Sequence, residues 1–217
     1  MKLFGVFILL FVNPLTLAKE SERFKIGDSA FLQRKDLAKA RIAYEEFKKH
    51  FEATPKDPEA AWRYSMACYF IGIRVEKDPQ AKQKLYETGR DAALAGIEVN
   101  KECAPCHFWA AINRALYGNS VGIVKMLFSL NSIQDHLKRS IAADPKYAYG
   151  GAYRTLGLIN QKVPGIFGGS NKRAREYLEK AIEVAPDEAL NYLFMVRLLT
   201  DEYEDPKTAM EYAQKAV

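Results

Sequence analysis

The chain has 217 residues, of which 48% are apolar and 27% charged, with a formal net charge of +5. Its basic residues are interspersed with acidic ones, as where Lys48-Lys49 follows Glu45-Glu46; this is the pattern of solvated helix faces and excludes the one-sign stripe of a nucleic-acid binder. Alternating Val/Ile/Thr runs and Asn-Gly or Asp-Gly turns are missing, while Ala, Leu, Lys and Glu fill helical-period stretches, so the expected class is all-α.

In chain order, residues 1–18 read as a secretory signal: Lys2 carries the charge, Leu3 to Val12 is unbroken apolar sequence, and Asn13-Pro14 ends it before Thr16-Leu17-Ala18. That run is about half of the roughly twenty residues that cross a bilayer as a helix, which favours export over anchoring. Lys19, not a cysteine, stands directly after the cleavage point, so lipid attachment there is not expected and a soluble, periplasmic or otherwise exported protein is. The remaining 19–217 suits one helical domain. Residues 20–50 form the opening pair, with its turn at Gly27-Asp28 or Lys35-Asp36.

One spacing then recurs. Ala43, Phe47, His50 and Pro55 are followed by Thr88, Ala92, Ala95 and Asn100, by Ile133, Leu137, Ser140 and Pro145, and by Ala174, Leu178, Ala181 and Pro186. Each set places small and large apolar residues on one helix face and then stops the helix, so neighbouring helices can approach closely and pairs can stack. The preceding helices carry a matching pattern, clearest in Tyr153, Leu156 and Gly157, with Trp62/Met66/Ala67, Trp109/Ile112 and Asn191/Phe194 as degenerate versions. These patterns are similar to tetratricopeptide repeats and predict an α-solenoid of about four helix pairs.

The stops lie 45, 45 and 41 residues apart, longer than the about 34 of an uninterrupted unit, so each unit carries an insertion. Val121 to Leu130 is almost wholly apolar, and Val163 to Ser170 is a Gly/Pro loop with Ile166 and Phe167 at its tip. Such segments either fold onto the core or line a ligand cavity or partner surface. Met126, Phe128, Ile166 and Phe167 are the candidates for apolar contact, with Tyr153 and Arg154 beside the Gly150-Gly151 turn. Ala209 to Ala216 begins another small-residue helix without a following turn, the pattern of a chain that continues.

Cys103-Ala-Pro-Cys106-His107 satisfies the C-x-x-C-H signature of covalent haem c attachment. The same residues also read as a redox pair at a helix N-terminus or, most simply, as a local disulfide with Cys68 left as a buried apolar residue. Zinc would need a fourth ligand from elsewhere. No G-x-S-x-G, Walker or H-E-x-x-H motif is present, so no catalytic residue is assigned and the chain is not expected to be an enzyme.

The run Gly150-Gly-Ala-Tyr153-Arg154-Thr-Leu156-Gly157, followed by Lys162-Val-Pro164-Gly165-Ile-Phe-Gly168-Gly169-Ser-Asn-Lys172, resembles the TatT family, the T component associated with TRAP transporters. Phe31-Leu-Gln33-Arg34, Cys106-His107-Phe-Trp109 and the Ala174 to Pro186 helix extend the resemblance over most of the mature chain. It implies a periplasmic accessory protein that docks a substrate-binding protein of a tripartite, ATP-independent transporter. It further implies passage of hydrophobic ligands and assembly as a trimer. The chain departs from that pattern in lacking an acylated cysteine and in carrying C-A-P-C-H. Two other functions remain open beside this one: haem-bearing electron transfer through Cys103, Cys106 and His107, and a ligand-free assembly scaffold.

Overall fold

The computed structural model describes residues 22–216; the signal-sequence reading lies outside them. Among the described residues ten α-helices follow one another: α1 Lys25–Leu32, α2 Leu37–Ala53, α3 Pro58–Arg74, α4 Pro79–Val99, α5 Ala104–Val121, α6 Ile123–Ala143, α7 Gly151–Lys162, α8 Asn171–Val184, α9 Ala189–Glu202 and α10 Pro206–Lys215. They stack as five antiparallel pairs, one more than the spacing suggests, and first helices also meet across pairs, α3 on α5 and α7 on α9. No strand occurs among the described residues.

Local chemistry starts most of these helices. Asp57, Asp78 and Asp205 each accept a hydrogen bond from a first-turn N–H and are followed by Pro at the first helical position, whose missing N–H leaves no donor unpaired there. Asp36 and Ser170 cap α2 and α8 in the same way. Asp36 also settles the opening turn: it lies at Lys35-Asp36, while Gly27-Asp28 is inside α1, where Gly27 lets the Phe47 ring approach.

Three of the four recurring faces pack largely as spaced. Phe47, Leu137, Leu178 and the small residues Ala43, Ser140, Ala174 and Ala181 are fully buried, as is Ile133. The face on α4 shifts by one residue. Counting back from the helix end, the equivalents are Gly89, Ala93 and Gly96 rather than Thr88, Ala92 and Ala95, because Asn100 is itself the C-cap while each proline lies one residue beyond its cap. A Cβ at Gly89 would sit 2.7 Å from the Asn113 amide, and one at Gly96 2.8 Å from Cys106 Sγ. At these two positions α4 lies against α5 closely enough that only hydrogen fits.

Asn191 is not an aromatic-type wedge. It is fully buried, and its amide donates to the carbonyls of Ala181, Ala185 and Tyr149, tying α9 to the end of α8 and to the turn before α7. Asn113 does the same for α5, donating to Ser65 O and Ser65 Oγ on α3, both at 3.0 Å. Two buried amides therefore bridge neighbouring pairs, each with its own donors satisfied.

The apolar stretch from Val121 to Leu130 is not a loop. Val121 ends α5, Gly122 turns the chain at φ 121°, and α6 begins at the next residue. The extra length is carried as helix, giving a hairpin of 18- and 21-residue helices. Val163 to Ser170 does form a turn, with a short 3₁₀ segment at Gly165–Phe167.

Replacing Leu137, which is 0% exposed, with Ala should cost about 2–5 kcal/mol through the cavity left behind. The same change at Leu193, 47% exposed, should stay within about 0.5 kcal/mol. Urea unfolding of both variants checks this, and equal losses would contradict the packing.

Candidate functional site

First helices of three successive pairs converge on one apolar cavity of about 480 Å³. Tyr69 comes from α3, Ile112, Ala115, Leu116 and Asn119 from α5, and Thr155, Leu158, Ile159 and Lys162 from α7. The start of α6 closes one side with Met126 and Leu127, and Val163-Pro164 closes another. The volume lies inside the about 300–1,000 Å³ of small-ligand and side-chain pockets. Its polar groups are few: the Asn119 amide, the Thr155 hydroxyl, the Lys162 ammonium and the Tyr69 phenol, whose pKa burial raises. Thr155 Oγ1 is already used, donating to Gly151 O at 2.7 Å.

An aromatic belt leads to it. Tyr69 packs on Trp109 with centroids 5.2 Å apart, Trp109 on Phe108 at 5.0 Å, and Phe108 on Tyr147 at 5.5 Å. The Trp109 indole donates to Tyr147 Oη at 2.7 Å, and burial holds the Tyr147 phenol well above its usual pKa. The belt is apolar but for three polar tips, of which the Trp109 indole and the Tyr147 phenol face each other.

Of the residues singled out from the sequence, Met126 reaches this cavity. Phe128 does not: it is 86% exposed on the opposite side of α6. Ile166, 87% exposed, and Phe167, 52% exposed, stand on the outer turn. Tyr153 is half-buried on α7. Arg154 is a structural tie, donating to Asn191 Oδ1 and to the carbonyls of Tyr149 and Ala148. Tyr69, Leu116 and Leu158 carried no motif; only the convergence of three helices makes them neighbours.

Cys103 and Cys106 form a disulfide and are buried at the start of α5, where Cys103 also caps the helix by accepting the Cys106 N–H. His107 follows, 2% exposed. Its Nε2 lies 2.9 Å from Lys101 O, a pure acceptor, so Nε2 carries the hydrogen and Nδ1 is the free lone pair. That lone pair accepts from His136 Nδ1 at 2.9 Å, which fixes the tautomer of both rings. With both sulfurs joined and both His107 nitrogens engaged, these residues do not present the thiols and open imidazole nitrogen that a covalent haem requires. Among the described residues, no three His, Cys, Asp or Glu are grouped to hold a metal ion.

Repeated small-residue faces, stacked pairs and a groove lined by first helices define an all-α array of the tetratricopeptide type. The sequence profile of one family, RMD1-3: Regulator of microtubule dynamics protein 1-3, matches residues 24–217. The chain belongs to that family. Among solved structures, TTC0263, a thermophilic TPR protein in Thermus thermophilus, is similar with a TM-score of 0.67 at 16% identity, covering 91% of this chain and 89% of that one. MamA is similar with a TM-score of 0.54 at 19% identity, covering 88% of this chain and 92% of that one. At these identities the likeness is one of fold. No curated protein matches the chain.

Burial lowers the pKa of both histidines, that of His136 to about 4, with His107 and Arg114 adding to the effect. Since the folded state favours the neutral rings, the stability they contribute is present above the unfolded histidine value near 6.5 and is lost as pH falls from there towards 4. The urea midpoint should therefore drop over that window, and His136→Gln should flatten the drop. An unchanged pH profile in the variant would contradict the paired arrangement.

Proposed function

We propose that this chain is a binding module, not an enzyme, whose groove takes an apolar segment of a partner protein or a hydrophobic small molecule in the cavity between α3, α5 and α7. The observation that carries this reading is that cavity: half-closed, apolar, and built from residues of three helix pairs and the head of α6. A fold maintained only by its own packing would fill such a space with a side chain. Its polar groups stand at intervals along an apolar wall, which suits a ligand held mainly by shape and burial.

Two narrower versions name the partner. The family description points to the regulation of microtubule dynamics, hence to a protein of that system. The resemblance at Gly150 to Lys172 points to a periplasmic substrate-binding protein of a TRAP-type transporter, with this chain exported and assembled as a trimer. Co-sedimentation with polymerised tubulin and titration against a purified substrate-binding protein separate the two.

Leu158→Glu should weaken binding of the segment or ligand by at least about tenfold, since a charge would enter an apolar site, while far-UV circular dichroism stays unchanged. Titration calorimetry reads the first and spectroscopy the second. Full binding by the variant would overturn the cavity as the contact site, and no binding by the parent chain would leave a ligand-free scaffold as the better description. A second measurement addresses the haem alternative: protein exported in a host competent for cytochrome c maturation should be colourless and lighter by two hydrogens. A Soret band with the mass of one haem would overturn the binding-module reading.

A further inference from the structure

Two stretches of the sequence contain no acidic residue, 103–134 and 145–175, yet together they carry eight basic ones. The fold brings parts of both to one edge of the array. There the tip of the α5–α6 hairpin stands beside the turn after α7: Met126 and Leu127 share a cavity with Val163 and Pro164, and Phe167 shares another with Leu130, Asn131 and Gln134. Apolar side chains project from both tips. Val124 is 63% exposed and lies one helical turn from Phe128 at 86%, and Ile166 at 87% stands next to Phe167 at 52%. Cations flank them. Lys125 lies between the two α6 residues, its ammonium 5.5 Å from the Tyr117 ring, and Lys172 and Arg173 open α8. Arg173 donates to Asn160 Oδ1 and Gly168 O, and among the described residues none of these three cations has a carboxylate within ion-pair distance. Acidic residues border the patch at Asp135 on α6, at Glu176 on α8 and at α9, where Asp201 lies 3.8 Å from Lys162 and Glu202 accepts from Asn171.

We propose that this edge of the array seats on an anionic lipid bilayer. Val124, Phe128, Ile166 and Phe167 enter the interface, and Lys125, Lys172 and Arg173 lie among the headgroups. Two pairs of apolar side chains on separate tips, each pair with a cation beside it, suit a deformable interface; a folded protein would need a matching pocket for each. Cations without carboxylate partners match a negative surface potential. None of these seven side chains lines the apolar cavity, although the same two segments close its sides.

The test is flotation of the full chain with phosphatidylcholine vesicles, with and without phosphatidylglycerol. The chain should float with the anionic vesicles and far less with the neutral ones. Neutralising Lys125, Lys172 and Arg173 to Gln should weaken binding on the order of a hundredfold, and Phe128→Ser with Ile166→Ser should weaken it too. Leu158→Glu should float normally. Because the apolar stretch Leu3 to Val12 is common to every variant, flotation is read as the difference between variants, and Phe128→Trp supplies an independent readout: its emission should shift to the blue on anionic vesicles. Unshifted emission from vesicle-bound protein, or equal flotation of the Gln variant, would overturn the proposal. So would a chain that ignores vesicles while the Gln variant loses an acidic protein partner.

Discussion

Close approach of α4 to α5 is the constraint on which the rest of this array depends. Gly89 and Gly96 present no side chain where Asn113 and Cys106 arrive, so the two backbones lie nearer than any β-carbon would allow. That closeness lets Asn113 reach across to Ser65 on α3 and puts Cys106 at the foot of the first helix of the same pair. The direction of α5 is thereby set from two sides. Everything downstream, from the α6 return to the groove wall formed by α7, takes its position from α5.

Polar groups complete what close packing begins. Asn113 and Asn191 each sit fully buried and connect a first helix to the pair before it, so each junction has a directional bond as well as apolar contact. Below them the Cys103–Cys106 disulfide and the His107/His136 pair bind the start of α5 to Lys101 on one side and to α6 on the other. A buried network with nearly all its partners present favours one arrangement over sliding alternatives. Asn113 Oδ1 is an exception, buried without a partner. The rigid floor this creates is the reason a cavity can persist above it between α3, α5 and α7.

The repeat was legible because it rests on local periodicity. Phe47, Leu137 and Leu178 could be placed in the core from spacing alone, and the burial of Ala174 and Ala181 followed from the same face. Where a glycine replaced a larger residue the count slipped: Gly89 and Gly96 look like flexible positions in a sequence, and Thr88 and Ala95 look like the better match. Prolines were read as stops, which hid the Asp-Pro pairs at Asp57, Asp78 and Asp205 that begin helices. The cavity was only partly legible. Met126 stood out because its neighbourhood is apolar, but Tyr69 and Leu158 are separated by most of two repeats and become neighbours only through the stacking of pairs. Arg154 was conspicuous beside two glycines, yet its task is to satisfy carbonyls at a turn.

The single-residue connection at Gly122 limits how this region can change over evolutionary time. A loop absorbs an insertion of any length, but two helices joined by one residue do not: extra residues in α5 alone would rotate its terminus by about 100° each and point the chain away from α6. Viable length variants must therefore come as matched additions to both helices, in steps of whole turns, with glycine retained at the apex. Relatives of this chain should consequently differ here in discrete sizes, and a hairpin of intermediate length would mark a lineage in which the apex had been rebuilt.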